Sequence, residues 1–217
     1  MKNGLFAAAG QMKHLDEIAV ASGLEIRQMM ELAAFHVSQF CIDRFQGKSV
    51  GVFAGSGNNG ADAIASARFL HNAGFTVEIV LLEDTVSVDG QHHLELCRRL
   101  DLPIRQYGEE LPNYDVIIDG LIGYSLDGKP RGRYADCINY FNNSESIIIS
   151  VDIPSGFDTE SGKALEPCVQ ADATLFLAYA KKGFDSEKYR GYFGSGFLID
   201  IGIPPEVYQK AKLPYPF

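Results

Sequence analysis

The stretch Val50–Asp62, VGVFAGSGNNGAD, constrains this chain more than any other. Its apolar run Val50–Ala54 reads as a buried strand and leads directly into Gly55-Ser-Gly57-Asn58-Asn59-Gly60. Ala61 to Ala73 then reads as a helix, with Ile64, Ala67, Leu70 and Ala73 at helical spacing and Gly74 where a C-cap glycine belongs. Strand, glycine turn and helix together form the context in which G-x-G-x-x-G marks an anion cradle. Glycines let the backbone turn sharply and approach a ligand, and the free N–H groups that open a helix favour a phosphate. The two asparagines set this turn apart, because they add amide donors and carbonyl acceptors that a phosphate cradle does not need. The plain alternative is a glycine-rich turn with no ligand.

Thr76–Leu82, Asp115–Asp119, Ser146–Asp152, Ala173–Ala178 and Gly196–Ile201 read as further strands. Gly90–Leu100 and Tyr134–Asn142 read as helices between them, and apolar spacing from Met12 to Phe40 predicts two more helices divided at Gly23. Strands apolar on both faces that alternate with helices imply a parallel sheet covered on both sides. The expected fold is therefore α/β and doubly wound, a mostly parallel sheet with helices on both faces in a Rossmann-like three-layer sandwich. No linker composition divides the 217 residues, so one domain over 1–217 is expected.

A formal net charge of −9 argues against general nucleic-acid binding, whose footprint is basic. It leaves a nucleotide site open, since a local nest of N–H groups binds phosphate on an acidic protein. Cys41, Cys97, Cys137 and Cys168 are far apart and form no C-x-x-C pair, which favours reduced thiols over disulfides or zinc. The apolar patch Leu5–Ala9 is too short for a signal-peptide core, and no apolar run is long enough to span a membrane. A cytoplasmic location is expected.

Ligands of open parallel sheets lie beyond the carboxyl ends of the strands. Three loops leave strands at that edge with polar groups in place. Asn58, Asn59 and Asp62 follow the first strand, and Asp119 ends the strand before Gly123-Tyr124-Ser125-Leu126-Asp127-Gly128-Lys129. Asp152 closes an apolar strand at Asp152-Ile-Pro154-Ser155-Gly156, so it is either desolvated or paired, and the turn directs Ser155 back to the same edge. Each aspartate taken singly is also compatible with a helix cap or turn role.

The set GSGNNGAD, DVIIDGLIGYSLDGK, SVDIPSGFDTESG and ADATLFLAYAKKGF, with the opening GLEIRQMMELAA, resembles the NAD(P)H-hydrate epimerases, the YjeF N-terminal-type domain. Order and spacing match from Met12 to about Pro204. The resemblance implies interconversion of the R and S epimers at C6 of hydrated NADH and NADPH, alongside a separate dehydratase that restores the cofactor. It implies that Asn58, Asn59, Gly60, Ala61 and Asp62 line the substrate, with Gly123, Tyr124, Ser125, Leu126, Asp127, Gly128 and Lys129 as a second wall. It further implies that Asp152, the residue expected to carry the chemistry, contacts the reacting region, and that Asn59, Asp119 and Ser155 hold one potassium ion per subunit. All three are oxygen donors, which hard cations prefer.

The family pattern N-N-G-G-D-G is here N-N-G-Ala61-D-Ala63. Alanine weakens the site if position 61 needs a left-handed backbone, and favours the helix if 61 lies in its first turn. The second alternative is preferred, because Asn59, Asp62, Asp119, Asp152 and Ser155 are all retained.

Two rival functions follow from the same residues. A nicotinamide dehydrogenase would use Glu83 on ribose, yet His14, His36, His71, His92 and His93 all fall in predicted helices rather than at a proton relay. A non-catalytic nucleotide-binding or scaffold module is the other. Lys181 and Lys182 are candidates to meet a phosphate, but as loop lysines they are expected to be solvated. The apolar residues Met29, Met30, Phe35, Phe40 and Phe45 suggest that the N-terminal helices pack against a second subunit, giving a homodimer, or else cover their own sheet.

Overall fold

The computed structural model describes residues 5–217. A short strand β1 (Phe6–Ala7) precedes helices α1 (Ala9–Ala21) and α2 (Ile26–Arg44). Alternation then begins with β2 (Ser49–Ala54), α3 (Asn58–Asn72), β3 (Thr76–Leu81), α4 (Val88–Arg99) and β4 (Ile104–Gln106). It continues with β5 (Val116–Gly120), α5 (Arg133–Asn143) and β6 (Ile147–Val151), followed by an antiparallel hairpin of β7 (Phe157–Asp158) and β8 (Lys163–Ala164). Next come β9 (Ala173–Leu177), β10 (Ala180–Lys181), α6 (Arg190–Phe193), β11 (Ser195–Ile199) and α7 (Pro205–Lys210).

Seven strands form one sheet in the order β11-β9-β6-β5-β2-β3-β4, and every neighbouring pair is parallel. From β2 the sheet grows through β3 to β4, and the chain then returns to β5 on the other side of β2. That reversal opens a crevice beyond the carboxyl ends of β2 and β5, where open α/β sheets bind ligands. Helices cover both faces unequally. Val50, Val52, Ala54, Val116 and Ile118 pack with residues of α1 to α4 and α7, whereas Phe53, Ile117 and Ile148 meet Cys137, Ile138 and Phe141 of α5. No described helix is long and apolar enough to cross a membrane.

Two differences from the sequence reading have physical causes. Helix α3 starts at Asn58 rather than Ala61, so the asparagines form its first turn instead of a loop. Strand β4 and the parallel pair β1–β10 have two or three residues each, too few to show a period. The apolar surface of α2 is used largely within the chain, with Met29, Met30 and Phe40 buried while Leu32 and Phe35 stay 40% and 43% exposed.

Helix α3 is buried from Asn59 to Ala67 because it lies between α2, α4 and the sheet. Alanines at 61, 63, 65 and 67 permit that close approach, and Ile64 and Leu70 are fully buried. Ala61 has an ordinary helical backbone, so alanine there carries no left-handed strain. The entry to the helix is tight: a Cβ on Gly60 would lie 2.0 Å from the Gly55 carbonyl oxygen. Gly60→Ala is expected to destabilise the fold by ~1–3 kcal/mol through overpacking. Gly191→Ala, where an added Cβ meets nothing within 4 Å, should be close to neutral. Urea denaturation of both variants checks the contrast.

Candidate active site

A pocket of about 480 Å³ occupies the crevice. Its walls come from the α3 entry (Ser56, Asn58, Asn59, Asp62), the loop after β5 (Leu121–Asp127, Lys129–Arg131) and the end of β6 (Asp152). Helices α1 and α2 close one side with Met12, Asp16, Met29 and Met30. The structure thus brings together Asn58, Asn59, Asp62, Gly123, Tyr124, Ser125, Leu126, Asp127, Lys129 and Asp152. Gly60, Ala61 and Gly128 stand off the pocket wall: the first two pack α3 against the sheet, and Gly128 (φ +71°) makes a turn. Asp119 and Ser155 are fully buried behind it.

Asp119 joins the loops. Its Oδ1 accepts from Ser155 Oγ (2.6 Å) and Leu121 N (3.2 Å), and its Oδ2 from Ser150 Oγ (2.7 Å) and Ser155 N (2.9 Å). Burial raises its proton affinity above the ordinary Asp value, and these hydrogen bonds offset part of that rise. Ser155 Oγ also accepts from Ile122 N (2.8 Å), so the turn after β6 is tied to the loop after β5. Asn59 packs against Gly123, where an added Cβ would lie 3.1 Å from its own Cβ. Neither Oδ1 nor Nδ2 of Asn59 finds a hydrogen-bond partner among the described residues, although the residue is only 7% exposed. An orphaned buried amide oxygen suits a hard cation in donor chemistry. The four acceptor positions of Asp119 are all engaged, so a cation there would need the Ser155 hydroxyl to turn to Ile122 O, 3.3 Å away.

Asp152 follows β6 directly in a left-handed conformation, φ +65°. Its Oδ1 accepts from Leu177 N (2.9 Å) and from Lys181 Nζ (2.5 Å). The solvated lysine expected at 181 is therefore corrected: Lys181 is fully buried, and its ammonium also donates to Leu177 O (2.7 Å) and Tyr179 O (2.9 Å). Parallel pairing of β1 with β10 places Ala7 beside Lys181.

Two more carboxyls face the same space. Asp62 is 8% exposed, and burial pushes it well above the ordinary Asp value of 3.8; Asp152 and Asp16 add to the rise and Lys181 opposes it. Asp16, on α1, accepts a hydrogen bond from Tyr124 Oη at 2.6 Å. Burial raises it too, while Tyr124 and Lys181 lower it. Burial and the neighbouring Asp16 also raise Tyr124, which keeps the phenol a donor. The sequence reading did not single out Asp16. Its signal was position, since Met12, Leu15, Asp16 and Ala19 share one stripe of α1 and an acid on a buried stripe is unusual.

Residues 26–183 match the family model described as YjeF-related protein N-terminus. The chain belongs to this family. It is 37% identical over 213 residues to an NAD(P)H-hydrate epimerase of Dehalogenimonas lykanthroporepellens, covering 93% of this chain and 84% of that protein. It is 35% identical over 199 residues to a bifunctional NAD(P)H-hydrate repair enzyme of Archaeoglobus fulgidus, covering 92% of this chain but 42% of that longer protein. The crystal structure of the yeast protein ynu0 (YNL200c) superposes with a TM-score of 0.84 at 20% identity, covering 97% of this chain and 94% of that one, a likeness of fold.

The Asp62 environment gives a prediction. The unfolded chain loses this proton near pH 3.8 and the folded chain only at higher pH, so the folded state binds more protons above 3.8 and stability falls as pH rises. Asp62→Asn removes that cost. Its melting temperature should match the wild type at pH values below 3.8 and exceed it increasingly at higher pH, a trend that thermal melts across the range will test.

Proposed function

We propose that this protein is an NAD(P)H-hydrate epimerase, an isomerase that interconverts the C6 epimers of hydrated NADH and NADPH for nicotinamide nucleotide repair. The observation that carries the reading is the switch-point pocket, which sets Asp62 and Asp152 together in a member of a family with epimerase relatives. The N–H groups opening α3 and the rim residues Lys129 and Arg131 suit the phosphates of a dinucleotide.

Epimerisation requires the C6 hydroxyl to leave and water to return on the other face. The ring nitrogen pushes the hydroxyl out as Asp62, which holds its proton to raised pH, protonates the departing oxygen. The dihydropyridinium-like cation that forms is stabilised by the carboxylate of Asp152, an interaction stronger in a buried site than in water. Water then adds to the opposite face of C6 and releases a proton to the solvent in the pocket, and Asp62 takes one back from that solvent, which returns the site to its starting state. A binding or scaffold module would not need a buried carboxyl facing a salt-bridged one.

Asn59, Asp119 and Ser155 would hold one potassium ion. The orphaned Asn59 Oδ1 supports this, as does the Ser155 hydroxyl, which has a second acceptor in Ile122 O. The ion would supply positive charge that fixes the entry to α3. We extend the proposal to a homodimer, supported by the exposed Leu32 and Phe35 on α2, and to a dehydratase acting on the same metabolite.

Chemically hydrated NADPH, separated into its epimers by chiral-resolving chromatography, should be equilibrated faster than the spontaneous rate. Asp152→Asn, which removes the charge that stabilises the cation, should lower kcat by about a hundredfold or more with a smaller change in KM. A raised KM alone would reduce Asp152 to a binding residue. Potassium, more than sodium, should raise the melting temperature, and Asn59→Ala should abolish the difference. A preference for potassium in Asn59→Ala as large as that of the wild type would remove Asn59 from the cation set.

A further inference from the structure

We propose that Lys181 is a positioning residue for this reaction: it fixes which oxygen of Asp152 faces the bound ring and supplies that carboxylate with its counter-charge. The inference rests on the epimerase reading above. Lys181 has no proton left for a ligand, because its ammonium donates to Asp152 Oδ1, Leu177 O and Tyr179 O at 2.5, 2.7 and 2.9 Å. It is fully buried, so it acts through its neighbours.

Its effect falls on one atom. Asp152 Oδ1 takes both the Lys181 ammonium and the Leu177 amide, which leaves Oδ2 as the oxygen free to meet the pocket. The backbone of Asp152 is already set in a left-handed turn, so the two donors on Oδ1 fix the remaining rotation of the carboxylate. Asp16 and Asp62 share the pocket, which makes Lys181 the one buried cation among the described residues there, beside three carboxyls, whereas Lys129 and Arg131 lie exposed at the rim. The lysine is itself held by the ends of two strands. Its ammonium binds the carbonyl of Leu177, the last residue of β9, and its backbone pairs with β1. A neutral side chain at 181 would leave Asp152 free to turn and its charge uncompensated.

Steady-state kinetics on hydrated NADPH, with thermal melts, should compare the wild type, Lys181→Met, Asp152→Asn and the double variant. Lys181→Met is expected to lower kcat about as far as Asp152→Asn, by about a hundredfold, with KM within about threefold of the wild type. The double variant should turn over no more slowly than Asp152→Asn alone, since no carboxylate remains for the lysine to hold. Retention of kcat within about threefold in Lys181→Met, or losses that multiply in the double variant, would overturn the proposal. If Lys181→Met does not fold, the double variant, which lacks the uncompensated charge, decides by the same comparison with Asp152→Asn. A wild type that does not epimerise overturns both readings; an active wild type beside an equally active Lys181→Met overturns this one alone.

Discussion

The carboxylate of Asp119 has no exposure to solvent, and four donors from three segments converge on it. Hydrogen bonds to a buried charged group are worth ~1.5–3 kcal/mol each, and losing one partner costs the desolvation of the others. The end of β5, the end of β6 and the turn through Ser155 are therefore one rigid corner. Asn59 and Tyr124 are positioned against that corner, and Asp152 sits three residues before Ser155 on the same turn.

The second tier is the balance of charge. At the closed end of the pocket Asp16, Asp62 and Asp152 meet the Lys181 ammonium, while Asp127, Lys129 and Arg131 stand at its exposed rim. Asp152 takes the ammonium, Asp16 takes the Tyr124 phenol, and Asp62 takes neither. An acid with no partner in a low-dielectric site keeps its proton to higher pH, and one with a cation beside it does not need to. Position in the fold thus gives two chemically identical side chains different surroundings, and the proposed mechanism assigns them different roles.

Much of this was legible in the sequence. The strands of the sheet centre are continuous apolar runs such as Asp115-Val-Ile-Ile-Asp119, and nothing but a strand buried on both faces suits them. The glycine turn and the three acidic loop ends followed from the same runs. The helix boundary at Asn58 was hidden, because asparagine is a poor helix former and only the buried setting of α3 overrides that preference. Strands of two residues carry no periodic signal at all. Lys181 was hidden for a different reason: its acceptors are two backbone carbonyls and a carboxylate about 30 residues earlier, and backbone geometry leaves no trace in residue type. The available clue was a lysine ending the run Ala173-Thr-Leu-Phe-Leu-Ala-Tyr-Ala180 with no charged residue within it.

The pairing of β1 with β10 has a consequence for how the chain is made. Phe6 leaves the ribosome about 170 residues before Ala180, its partner. At ~5–20 residues per second, the first strand waits roughly 10–35 s for the segment it must join. During that interval α1 and α2 can form and α3 can dock on the growing sheet, but Lys181 and the wall that β1 builds beside it do not yet exist. The nascent chain therefore carries its carboxylates before their counter-ion, and closure of the pocket is among the last events of synthesis.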